Sequence, residues 1–141
     1  MLLCFDSSAL VKLMVEEEGS DLVARLWDES DALLASRLVV PEVAAALHAA
    51  HRNGRLDDTA LSLALTLWAA YLPALRMVEL SPELAVRAAE LTASNALAGA
   101  DAVHLASALT LERADPALAV CDRRLHAGAR AAGVRTIPAS L

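Results

Sequence analysis

Short apolar runs alternate with longer helix-forming stretches along the whole of this chain, and that order leaves few folds open. The runs are "LLCF" (residues 2–5), "ALLAS" (32–36), "RMVEL" (76–80), "ALAVC" (117–121) and "VRTI" (134–137). Each is long enough for a buried strand and too short for a helix. Between them the pattern predicts a helix from Ser7 to about Glu17, closed near Gly19. A second, capped by Ser20 or Asp21, runs to about Glu29. A third covers Val40 to Arg52, with Pro41 in its opening turn and Asn53-Gly54 at its end. Asp57 or Asp58 caps a long fourth helix that Pro73 stops. Ser81-Pro82-Glu83 opens a fifth that reaches about Ser94. A sixth spans about Gly99 to Arg113, ahead of the Asp115-Pro116 break. The last lies in "DRRLHAGARAAG" and closes at Gly133. Strands separated by helices predict a parallel, doubly wound β-sheet of about five short strands, with helices on both faces. The 141 residues fit one domain over 1–141, with no repeat and no linker.

In such sheets, functional groups gather beyond the carboxyl ends of the strands. Asp6 directly follows the first strand, and Asp122 directly follows the fourth. Glu42 stands in the first turn after the second strand, and Asp101 follows Gly99 at a helix start. Singly, each suits a helix N-terminus. Together on one rim they would repel, raising one another's pKa unless something positive intervenes. The chain has a single lysine, Lys12, and none near the later three acids. The simplest counter-charge is a divalent cation. All-oxygen donors suit Mg²⁺ or Mn²⁺, and such a site suits phosphodiester hydrolysis.

Other chemistries lack their motifs. There is no zinc spacing, dinucleotide-binding glycine pattern, phosphate-binding P-loop or nucleophile elbow. His48 and His51 share a helix face and are expected at the surface. His104, three residues after Asp101, is expected as packing near the site. Trp68 and Tyr71 also share a face, and core or interface packing is expected there. Cys4 and Cys121 are expected as reduced core thiols, which suits the cytoplasm.

The formal charge is −6, unusual for a nucleic-acid binder. Arg123, Arg124, His126 and Arg130 nevertheless cluster beside Asp122 and form a candidate phosphate-binding strip. Hydrophobic residues make up 57% of the chain. The longest uncharged run, Thr59 to Leu75, contains Pro73 and falls short of the ~20 residues of a membrane span. No basic stretch precedes the first apolar run, so no signal peptide is expected. The apolar surplus is expected to cover a partner surface.

"CFDSSALVKL", "VVPEVAAAL", "AGADAVHLASAL" and "LAVCDRRLHAGARAAGV" follow one another in that order. They resemble the four acidic motifs of PIN-domain ribonucleases, in particular the VapC-type toxins of bacterial toxin–antitoxin pairs. The resemblance spans nearly the whole chain. It implies a PIN-like fold and a metal-binding core of Asp6, Glu42 and Asp101, with Asp122 as the fourth acid. It also implies Mg²⁺- or Mn²⁺-dependent endonucleolytic cleavage of RNA, a homodimer, and neutralisation by a cognate antitoxin. Many relatives carry a hydroxyl residue two positions before the fourth acid, where this chain has Val120.

Two rival readings fail on single residues. A phosphoacceptor domain needs a lysine after the last strand, and a dehalogenase-like phosphatase needs Asp where Ser8 stands. A catalytically inactive PIN-like binding module is the non-enzyme alternative.

Overall fold

Leu3 and Phe5 of the first run pack into one hydrophobic cluster, and Cys4, between them, packs into a second. A strand whose successive side chains enter different cores must be covered on both faces. The computed structural model describes residues 1–111 and 115–141. Its strands are β1 (Leu2–Phe5), β2 (Ala32–Ser36), β3 (Arg76–Val78), β4 (Ala117–Ala119) and β5 (Arg135–Ile137). They form one sheet in the order β3-β2-β1-β4-β5, and every pairing is parallel. Cys4 lies opposite Leu34 on one side and Leu118 on the other.

The helices divide between the two faces. Helices α1 (Ser7–Leu10), α2 (Ser20–Glu29), α3 (Val39–Arg52) and α4 (Asp58–Tyr71) bury Leu10, Leu26, Leu47 and Trp68 against Leu3 and Phe5. Helices α5 (Pro82–Asn95), α6 (Gly99–Leu109) and α7 (Arg123–Ala131) bury Leu91, Leu105 and Leu125 with Cys4 and Leu118. The chain winds outward from central β1 to β3, then returns to β4 on the other side of β1. The order therefore reverses between β1 and β4, where a doubly wound sheet opens its crevice.

The structure departs from the expected elements in a few places. The first helix is short: α1 gives way to a 3₁₀ turn over Val11–Leu13. Its expected continuation would have put Glu16 and Glu17 at a helix C-terminus, where the dipole disfavours acids. Instead Lys12 Nζ donates to Glu17 at 2.9 Å and to the Glu18 carbonyl at 2.7 Å. The chain then turns at Gly19, whose φ of 88° suits glycine. Ser20 lies inside α2 rather than capping it. Its hydroxyl accepts from Glu17 N–H and donates to the Val15 carbonyl, so it serves the loop. Strands β3 and β4 end two residues earlier than expected. Helix α6 ends at Leu109, and the part of the expected helix over 112–113 lies outside the described residues.

The caps at Asp57 and Ser81 form as expected, accepting from Ala60 N–H and Leu84 N–H. Tyr71 stacks edge-on against Trp27, and Trp68 is buried, so both aromatics of α4 serve packing. Both cysteines are free thiols. Among the described residues, no helix is long and apolar enough to cross a membrane.

Candidate active site

Asp6 leaves the sheet at the carboxyl end of β1, where its backbone N–H donates to the Ala119 carbonyl of β4. Its carboxylate caps α1. It accepts from Ala9 N–H at 3.1 Å, from Ser8 N–H at 3.2 Å and from the Ser8 hydroxyl at 2.8 Å. Only 4% of Asp6 is exposed. Burial pushes its carboxyl up to about 6, although the Ser8 hydroxyl, the nearby His104 and the two backbone N–H groups act in the opposite direction. Ser8 also accepts from Cys121 N–H at 2.9 Å, so one hydroxyl joins the ends of β1 and β4. Val120 is fully buried.

Glu42 stands in the first turn of α3 and is held from two other helices. His104 Nε2 of α6 lies 2.6 Å from its Oε2, and the Ser7 hydroxyl of α1 donates to the same oxygen. Burial is the largest influence on this carboxyl and raises it. The bonds from His104 and Ser7 outweigh burial and hold the group below its ordinary value.

Asp101 lies in the first turn of α6 and is half-buried. Its carboxyl is raised, first by burial and then by the charge of Asp122, with Glu42 adding to the effect. His104 and Arg124 oppose the rise. Asp122 is exposed and caps α7, with Oδ1 accepting from Arg124 N–H and Leu125 N–H at 2.9 Å each.

The four acids stand at the starts of four helices: Asp101 feels the charges of Asp122 and Glu42, and Asp6 that of His104. Capping and membership of the group coexist at Asp6 and Asp122. Among the described residues, no group of three or more histidine, cysteine or acidic side chains is arranged to hold a metal ion. The donor type fits a hard divalent cation, since every acid offers oxygen and two of the four are raised by burial or like charge.

The basic strip divides. Arg123 and Arg124 are exposed at the start of α7. His126 is buried, with Nε2 2.9 Å from the Pro138 carbonyl and 3.1 Å from the Thr136 hydroxyl. Arg130 donates to the Ala139 carbonyl. These two residues tie α7 to the C-terminal strand and tail.

Sequence reasoning did not foresee the clasp on Glu42. The available signal was His104 on the face of α6 that carries Asp101, one turn away. It also missed a pair of cations on Glu17, where Lys12 meets Oε1 and Arg55 meets Oε2 at 2.8 Å. Lys12, Arg55, Ser8 and Asp122 line parts of one cleft of about 310 Å³ beside the acids.

Comparison with known proteins gives this arrangement a family. The PIN domain family model matches residues 3–131. The chain belongs to the PIN-domain family. Two relatives from Mycobacterium tuberculosis strains, Ribonuclease VapC45 and Ribonuclease VapC49, are each 51% identical over 140 residues. Those alignments cover 99% of this chain and 97% of each relative. The fold matches the crystal structure of Mycobacterium tuberculosis VapC20, described as a sarcin–ricin loop cleaving toxin, with a TM-score of 0.65. That match has 17% identity and covers 94% of this chain and 95% of the other. The parallel sheet and two-sided helical cover are therefore those of the PIN fold.

Proposed function

We propose that this PIN-domain chain is an endoribonuclease toxin of the VapC type, which hydrolyses RNA phosphodiester bonds with Mg²⁺ or Mn²⁺. The observation that supports this most is the 51% identity to two ribonucleases over nearly their full length, in a chain whose four acids lie at the starts of four helices. Asp6 and Asp101 are the first choices for direct metal ligands, and Glu42 and Asp122 would complete the donor set. When bound, such a cation neutralises phosphate charge and makes water a stronger nucleophile.

The chain's own groups supply the rest. Ser8 and two backbone N–H groups fix Asp6. Ser7 and His104 fix one oxygen of Glu42. The Asp122 oxygen Oδ1 is taken by the α7 N-terminus, which leaves Oδ2 for the site. Arg123 and Arg124 are the proposed phosphate contacts, since His126 and Arg130 are occupied elsewhere. A local pair of arginines lets a chain of net charge −6 approach RNA.

In this reading the protein works in the cytoplasm, as a homodimer, and is silenced by a cognate antitoxin. The test is incubation of the purified chain with total cellular RNA and Mg²⁺, with cut sites mapped by primer extension. Discrete cuts by the wild type and none by Glu42→Gln are expected. Intact RNA under every metal condition would leave the inactive binding module as the better reading.

A further inference from the structure

His104 is an expensive residue to place where it is. It is 3% exposed, in the middle of an otherwise apolar stretch of α6. Its Nδ1 is buried and, among the described residues, has no hydrogen-bond partner. A core histidine kept for packing alone would satisfy both nitrogens or give way to an apolar side chain. Among the described residues, its one polar tie is the 2.6 Å contact of Nε2 with Glu42 Oε2. That contact spans 62 positions of sequence and joins α6 to α3. The Ser7 hydroxyl reaches the same oxygen from α1. One oxygen of Glu42 thus receives both donors, while among the described residues Oε1 has none. The neighbours of the clasp are the acids themselves: Ser7 follows Asp6, and His104 stands one helical turn from Asp101.

We propose that His104 is a positioning residue, which clamps Glu42 Oε2 so that Oε1 is presented to the divalent cation. The proposal rests on the metal-dependent reading above. A flexible glutamate among like charges would swing toward solvent. The imidazole N–H, together with Ser7, holds it in the site before the cation arrives. Outer partners of metal ligands act in this way, and their loss costs about 10–100-fold in metal affinity or activity.

The experiment is Mn²⁺ titration of the full chain, read by the electron paramagnetic resonance of free Mn²⁺ and by melting temperature. The variants are His104→Leu, which fills the space without a donor, and His104→Gln, which keeps an N–H donor. His104→Met carries the same expectation as the leucine variant, should that one not fold. In EDTA the apolar variants should melt at or above the wild-type temperature, because the orphaned nitrogen is gone. They should nevertheless need about 10–100-fold more Mn²⁺ for half-saturation, whereas His104→Gln should recover most of the wild-type affinity. In a Glu42→Gln background, His104→Leu should cause no further loss. Equal Mn²⁺ affinity in the wild type and His104→Leu would overturn the His104 assignment alone. So would a glutamine variant as weak as the leucine variant. A wild type that binds no Mn²⁺ would overturn the metal-dependent reading, and the assignment with it.

Discussion

Asp6 carries a conflict that its neighbours only partly resolve. Its carboxyl sits at about 6 against an ordinary 3.8, chiefly because it is buried. Between those values the folded chain holds a proton that the unfolded chain has released. Stability in EDTA therefore rises as pH falls through this window, and the full penalty is present above about 6. At pH 7 that penalty is roughly 3 kcal/mol. Asp6→Asn removes the ionisation and keeps an oxygen to accept from Ala9 N–H. The variant should be the more stable protein at pH 7, and the difference should vanish near pH 4. Chemical denaturation of both proteins across this range checks it, and a difference independent of pH would refute the burial argument. Asp101 is half-buried and raised partly by Asp122 and Glu42. Asp101→Asn should keep the fold, abolish cleavage and leave the metal-free protein equally stable or more so, by roughly 0.5–2 kcal/mol. Mn²⁺ should then raise the melting temperature of the wild type more than that of the variant. A metal-free loss of several kcal/mol would make Asp101 a structural residue instead.

Elements were legible in proportion to how local their causes are. Ser81-Pro82-Glu83 holds its whole signal within three residues, and α5 begins there with the Ser81 hydroxyl accepting from Leu84 N–H at 3.1 Å. Ser81→Ala should cost about 1 kcal/mol in thermal or urea unfolding and leave RNA cleavage unchanged, since the cap lies outside the site. The end of α1 was not legible, because it depends on where Lys12 lands. That side chain bonds Glu17 and the Glu18 carbonyl, turns the chain at Gly19, and draws Ser20 away from the capping position it was expected to fill. The places of Asp6, Glu42 and Asp122 at helix starts were legible because each comes soon after a strand in sequence. The Glu42 clasp was not, because it needs the packing of α6 beside β2 to bring residues 42 and 104 together.

The whole molecule leaves apolar surface in the open. Helix α4 buries only Ala64 and Trp68 fully, yet it is apolar nearly all round, and Leu63 on it is 60% exposed. A lone surface helix would carry a polar face. We expect a homodimer at micromolar concentration by light scattering, and Leu63→Asp should shift it toward monomer without unfolding it. A monomeric wild type would remove the dimer from this account. If the acids act by holding a cation, RNA cleavage by the purified wild-type chain must follow the metal. Cleavage is expected in Mn²⁺, its complete loss in excess EDTA, and its return when Mn²⁺ is restored. Cleavage that continues unchanged in the chelator would contradict the metal-dependent reading.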